Sequence, residues 1–258
     1  MFFFPISDDN ESGSRPIVCY LIIGVCCFIF LWQSTLPVNL NQEAIYNFGV
    51  IPAAVLGNED SYISPYLTIF TSMFMHGGWM HLIGNMVFLW IFGDNIEDSM
   101  GHKKFLIFYL MCGVVAALLQ ASIDPESNIP MIGASGAIAG ILGAYLVLHP
   151  KANVNVLFWL FIFITVIKVP AFIVLSIWIF SQFFSVSVGS EGGVAYFAHI
   201  GGFIAGALLI YFFKYSHISL FQEGNSTSFE SSNFSINGLF NQRKERDFMQ
   251  EFIDIANK

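Results

Sequence analysis

Long apolar stretches broken by short polar interruptions dominate the pattern along this chain. A membrane-spanning helix needs about 20 mostly apolar residues. Stretches of that kind run over 16–34, 71–93, 105–122, 132–149, 169–188 and 194–213. A further apolar run, VLFWLFIFITVI (156–167), merges with the fifth into a stretch too long for one helix and too short for two. Pro170 divides it, since proline lacks a backbone donor and disfavours helix in the residue before it. The pattern therefore predicts six spans, with 156–167 as a connection hugging the membrane. The fold class expected is an all-α membrane protein, a bundle of six transmembrane helices.

Charge orients this bundle. The basic residues are Arg15, Lys103, Lys104, Lys151, Lys168, Lys214, Arg243, Lys244, Arg246 and Lys258. With six spans and a cytoplasmic N-terminus, all of them fall on the cytoplasmic side, as the positive-inside rule requires. The opposite loops, 36–70, 123–131 and 189–193, hold acids but no Lys or Arg. One span more or fewer would scatter the basic residues over both faces. Both termini are thus expected in the cytoplasm, with a bacterial plasma (inner) membrane as the expected location.

Composition agrees: of 258 residues, 55% are hydrophobic and 11% charged, against about 25% charged in soluble domains. The net charge of −8 resides mainly in loops and tail, and no nucleic-acid partner is expected. Cys19, Cys26, Cys27 and Cys112 all lie in apolar runs and read as small buried hydrophobes, with no disulfide or zinc spacing. The first fifteen residues contain Asp8, Asp9 and Glu11 and no basic stretch before the apolar run, unlike a cleavable signal peptide. The organisation expected is a cytoplasmic segment (1–15), a membrane domain (16–213) and a cytoplasmic tail (214–258). In the tail, 223–237 reads as a flexible linker and 240–256 as a short amphipathic helix carrying Phe240, Phe248, Phe252 and Ile255.

Polar side chains inside spans are costly and mark function. His81, Asn85, Ser135 and His199 stand out. His81 and Asn85, four apart, share a helix face. In the six-span topology the second, fourth and sixth spans all enter from the outer side, so these residues fall at one depth in the outer half of the bilayer. Gly136 and Gly140 follow Ser135, and Gly202 and Gly206 follow His199, at spacings that let membrane helices approach closely. Packing the fourth span on the sixth would bring Ser135 to His199. Such a pair makes an activated nucleophile. Asn85, His81 and the Ser135 backbone N–H could then serve a developing oxyanion. No Asp or Glu lies in the outer half of any span, so the arrangement would be a dyad. Asp94, Glu97 and Asp98 read as capping the inner end of the second span. Taken singly, Ser135 in a Gly/Ala stretch also reads as packing glue, and a lone intramembrane His as a satisfied core group.

HGGWMHLIGN (76–85), GASGAIAG (133–140) and AHIGGFIAG (198–206) resemble, in the same order, the signature segments of the rhomboid intramembrane serine proteases. The resemblance covers roughly 45–213. It implies hydrolysis of peptide bonds in or near transmembrane segments of single-span or multi-span membrane proteins, within the lipid bilayer and without a cofactor or metal. By motif it makes Ser135 the nucleophile, His199 the general base, and His81 and Asn85 members of the oxyanion site. Gly133 of the GASG segment joins that site. His76 reads either as an accessory oxyanion group or as a loop anchor. Two features depart from many relatives: 36–70 has no Trp-Arg pair, and the residue four after the serine is Ala139 rather than an aromatic. A non-catalytic rhomboid-like protein that binds transmembrane clients is the alternative; retention of Ser and His argues against it. A small transporter is a third reading, disfavoured by the lack of buried charge and inverted repeats. The glycine-containing 186–196 loop is expected to act as a mobile cap.

Overall fold

A computed structural model of the chain describes residues 2–57, 63–160, 163–188, 194–222 and 231–232. The tail helix expected over 240–256, and the centre of the loop expected to act as a cap, lie outside these residues.

The described part is mostly helical. Six helices overlap the six apolar stretches: α1 (Ile17–Thr35), α5 (Trp79–Met100), α6 (His102–Ile123), α7 (Ser135–Leu148), α8 (Ala171–Ser187) and α9 (Tyr196–Phe213). Three of them, α1, α6 and α9, are long and apolar enough to cross a membrane by length and composition. Helix α5 has 22 residues but a more polar face, while α7 and α8 are apolar but have 14 and 17 residues. The stretch between α1 and α5 contains short helices α2 (Val38–Phe48), α3 (Pro52–Val55) and α4 (Pro65–Thr71), followed by a 3-10 turn at Ser72–Phe74. Helix α5 consequently begins at Trp79, eight residues later than the apolar pattern places it.

The expectation of an all-α fold is corrected by a four-stranded antiparallel sheet, ordered β1-β2-β3-β4, from β1 (Phe2–Asp8), β2 (Asn153–Leu160), β3 (Phe163–Pro170) and β4 (Ser231–Ser232). The run 156–167 is therefore a β-hairpin rather than a membrane-hugging connection, with Asn153 opposite Pro170 and Leu160 opposite Phe163. The physical reason is local. NVNV places buried Val154 and Val156 alternately with half-buried Asn155 and Leu157, the period of a strand, and TVIKV is rich in β-branched residues. Strand β1 adds to the open side of β2, with a register irregularity between Pro5 and Ser7. Pro5 has no N–H to give, which an edge strand tolerates.

The inner end of the bundle is tied by buried polar groups. Glu97 is fully buried; its carboxylate accepts the N–H groups of Val18 (2.9 Å) and Cys19 (2.7 Å) and pairs with His102. Helix α1 starts after Pro16 with no side-chain cap of its own, so Glu97 caps it from another helix. The expectation that Glu97 caps its own helix is corrected here. A carboxylate near the C-terminus of α5 opposes that helix's dipole, whereas at the N-terminus of α1 it complements it. Asp98 accepts the Gly13 N–H at 3.0 Å. Asp8, at the end of β1, accepts hydrogen bonds from Tyr145 (2.6 Å) and Asn95 (3.0 Å). Gly101, at φ +82, separates α5 from α6.

Helix α7 is the centre of the bundle: every residue from Gly136 to Tyr145 is buried, as for a helix apolar all round. It packs most extensively on α9 and also against α5, α6 and α8. Cβ atoms added to Gly202 and Gly206 would fall on the carbonyl oxygens of Gly136 and Gly140. The two backbones touch along that line. Cys19, Cys26 and Cys112 are buried thiols.

Candidate active site

Ser135 is the first residue of α7, where its N–H has no helical carbonyl to bond. Two residues earlier, Gly133 holds φ +125, a conformation that residues with a Cβ rarely adopt. Its N–H is anchored on the Ser72 carbonyl at 2.9 Å. A Cβ there would lie 2.6 Å from His81 Nε2 and 3.7 Å from Asn85 Nδ2. The bare side of Gly133 therefore faces both polar groups of α5.

The hydrogen bonds assign roles to those groups. The Gly77 N–H donates to His81 Nδ1 at 3.4 Å. A backbone N–H can only donate, so the proton of a neutral His81 sits on Nε2, which points at Gly133. Asn85 is buried, and its Nδ2 has no hydrogen-bond partner among the described residues. Two donors thus converge on one small space beside the start of α7. His81 is exposed at the mouth of this space.

On the other side of Ser135, its hydroxyl and His199 Nε2 are 2.8 Å apart. The two residues are half-buried and are brought together by the glycine contact between α7 and α9. His199 Nδ1 meets Gln182 Oε1 at 2.7 Å, and its ring lies against Trp178 with centroids 5.8 Å apart. Tyr196 approaches edge-on at 6.5 Å. A cavity of about 50 Å³ opens beside Ser135, bordered by Ser72, Met73, Ala116, Gly136 and Ala198. Val50, Ile69, Met131 and Ile132 also line it, and it has room for a water molecule.

His76 is buried with its ring 5.2 Å from that of His81. Its backbone is clamped by Gln33 of α1, which accepts the His76 N–H at 3.1 Å and donates to its carbonyl at 3.2 Å. Of its two expected roles, these contacts favour the anchor. Ala139 is fully buried against Gly202, so a bulky side chain there would push α9 away. The aromatic contact to His199 comes instead from Trp178 of α8. Sequence reasoning missed Trp178 and Gln182. The available signal was Gln182 itself, an amide inside the apolar stretch AFIVLSIWIFSQFFSVS. The described residues contain no cluster of three or more metal-ligating side chains.

A Rhomboid domain family model matches residues 64–216, more than half of the chain. The chain belongs to the rhomboid family. The rhomboid match begins just before α4 and runs just past α9, so it contains Ser135, His199, His81, Asn85, Gly133, Trp178 and Gln182 and leaves α1 and most of the tail outside. Similar proteins include "Rhomboid-like protease 3" of Toxoplasma gondii, 29% identical over 205 residues, covering 79% of this chain and 71% of that protein. "Rhomboid protease GluP" of Bacillus subtilis is 28% identical over 135 residues, 52% of this chain and 25% of the relative. "Rhomboid protein 1, mitochondrial" of Saccharomyces cerevisiae is 28% identical over 161 residues, 58% of this chain and 42% of the relative. The aligned part thus spans well under two thirds of the Bacillus and yeast proteins. Family and apolar helices together make this rhomboid a membrane protein.

Proposed function

We propose that the protein is an intramembrane serine endopeptidase that cleaves membrane-anchored proteins in or near their transmembrane segments. The observation that carries the proposal is the 2.8 Å Ser135–His199 pair beside Gly133, whose bare face meets His81 Nε2 and Asn85 Nδ2. Ser135 Oγ attacks the scissile carbonyl carbon as its proton passes to His199 Nε2. The carbonyl oxygen becomes an oxyanion, stabilised by the Asn85 amide, the His81 Nε2–H and the Ser135 N–H. His199 returns the proton to the leaving nitrogen, the C–N bond breaks, and an acyl group remains on Ser135. Water, deprotonated by the same imidazole, releases it. No cofactor or metal enters this sequence.

The proposal includes a topology of six crossings, with both termini and all Lys and Arg residues on the cytoplasmic face of a bacterial plasma membrane. The membrane domain is 16–213. The distribution of basic residues supports it. Substrates would be single-span or multi-span proteins, with a small residue beside the cut to suit the cavity of about 50 Å³ next to Ser135.

Purified full-length protein in lipid bilayers, given a single-span substrate, should cut it, and Ser135→Ala should not. Equal cleavage by both would end the proposal. Labelling by a fluorophosphonate separates it from a client-binding, non-catalytic rhomboid: the enzyme is labelled in a Ser135-dependent manner and the binder is not.

A further inference from the structure

In the dyad proposed above, His199 must present a bare Nε2 to the serine hydroxyl. Neutral imidazole has two tautomers, and only the one with its proton on Nδ1 can act as the base. In the Ser-His-Asp arrangement a carboxylate makes that choice. Here the group facing Nδ1 is a carboxamide, which can turn either face to the ring: its oxygen accepts, its nitrogen donates. The orientation of one amide thus decides whether His199 is a base.

The surroundings of Gln182 settle its orientation. Its Nε2 lies 3.3 Å from the Trp178 carbonyl oxygen and 2.9 Å from Ser181 Oγ. A carbonyl oxygen can only accept, so the amide NH2 must face it. Ser181 Oγ in turn spends its own proton on that same Trp178 carbonyl, at 2.6 Å, and is left as an acceptor for the amide. With both acceptors on the nitrogen side, Oε1 is left toward the imidazole, 2.7 Å from Nδ1. Nδ1 must then carry the proton and donate it. A flipped amide would set its oxygen against the carbonyl oxygen and its NH2 against a ring nitrogen, and would drive the proton to Nε2.

Packing supports the same assignment. Gln182 is buried, at 9% exposure, so water does not compete for the bond. Trp178, one turn earlier on the same face of α8, lies along the His199 ring and also stacks on Phe203, with centroids 6.2 Å apart. The ring is met by tilted Trp178 and, at its edge, by Gln182 four positions later. His81 makes the opposite case with the same side chain: a backbone N–H faces its Nδ1, and it becomes a donor.

We propose that Gln182 is a positioning residue which, oriented by the Trp178 carbonyl and Ser181, holds His199 as the Nδ1–H tautomer, the task a carboxylate performs in the Ser-His-Asp arrangement. This rests on the dyad reading, and its test does not depend on turnover. Full-length protein labelled with ¹⁵N-histidine is measured by NMR, with the His199 signals assigned by their loss in His199→Asn. The wild type shows a protonated Nδ1 and a bare Nε2. Gln182→Leu, close in volume but without an acceptor, moves the proton toward Nε2, and Gln182→Glu, which keeps an acceptor there, restores Nδ1–H. The rate of fluorophosphonate labelling at Ser135, in which Oγ displaces fluoride from phosphorus and its proton passes to His199, falls about tenfold in Gln182→Leu, the equivalent of one lost neutral hydrogen bond. It recovers in Gln182→Glu. A wild-type His199 protonated on Nε2, or an unchanged Nδ1–H tautomer in Gln182→Leu, overturns the proposal. The first of these needs no variant to fold. Absence of labelling in wild type would instead strike at the dyad itself and leave the tautomer measurement decisive for Gln182.

Discussion

At the scale of single residues, the site uses two histidines of the same chemistry in opposite senses. His81 meets a backbone donor at Nδ1 and His199 an amide oxygen, so in the proposed mechanism one points a proton at the reacting centre and the other a lone pair. Asn85 adds a buried donor with no partner of its own. Leaving such a group unsatisfied costs about 1–3 kcal/mol, a cost expected where a donor awaits a transition state. Asn85→Ala should lower kcat about 10²–10³-fold with little change in KM, because the bond forms with the oxyanion and not with the ground-state carbonyl. An equal rise in KM with kcat unchanged would assign Asn85 to substrate binding instead. Gly133→Ala should abolish labelling of Ser135 by the fluorophosphonate. Its Cβ would meet His81 and its φ would be strained.

At the scale of elements, the contact of α7 with α9 decides whether the dyad exists. Gly202 and Gly206 sit directly on the Gly136 and Gly140 carbonyls. Because the obstacle is backbone, side-chain rotation cannot relieve a substitution there. Gly206→Val should therefore cost at least the roughly 1–3 kcal/mol of an overpacked core, seen as a lower thermal midpoint, and should also remove Ser135 reactivity in the protein that remains folded. Full reactivity in that variant would show that the approach of the two helices is not what sets the pair. Glu97 offers a contrast at the far end of the bundle. Glu97→Ala uncaps α1 and should destabilise the fold by about 1–2 kcal/mol. The rate of Ser135 labelling per folded molecule should not change, since the polar partners of Glu97 are Val18 and Cys19 of α1 and His102 of α6. The apolar stretches overlap six helices, of which three are long and apolar enough to cross a membrane, because apolar length is readable directly. The hairpin was hidden because hydropathy alone does not separate a strand pair from a membrane-lying segment. Only its alternation, Val154 and Val156 inward, distinguishes it.

At the scale of the whole molecule, the sheet ties distant parts of the chain together: strand β1 from the N-terminus, the hairpin between α7 and α8, and a strand from the tail share one ladder. The proposed topology puts this sheet, the Glu97 cap and the basic residues on the cytoplasmic face, with the Ser135 site toward the opposite one. Three of the native cysteines are buried and Cys27 is half-buried, which favours labelling at introduced cysteines. Lys103→Cys, Lys151→Cys and Lys214→Cys should react with an impermeant maleimide only from the cytoplasmic side, and Asp124→Cys and Glu126→Cys only from the other. Mixed sidedness within either set would refute six crossings.

The amino-acid sequence alone determined where the apolar helices lie; the proposed sidedness of their loops, and the common depth of Ser135, His199, His81 and Asn85, are likewise read from it. Those are properties of segments and spacings, written in consecutive residues. What only the tertiary structure decided is how each polar atom is used. His199 is 64 residues from Ser135 and 17 from Gln182. Whether its Nε2 accepts a proton depends on what stands behind Nδ1, and that depends on how α8 is rotated against α9. No local pattern encodes that rotation, because it is set by the packing of Trp178, Phe203 and Gln182 across two helices. The aromatic missing at 139 is a departure in the sequence; in the folded molecule, Trp178 of α8 lies beside His199 instead.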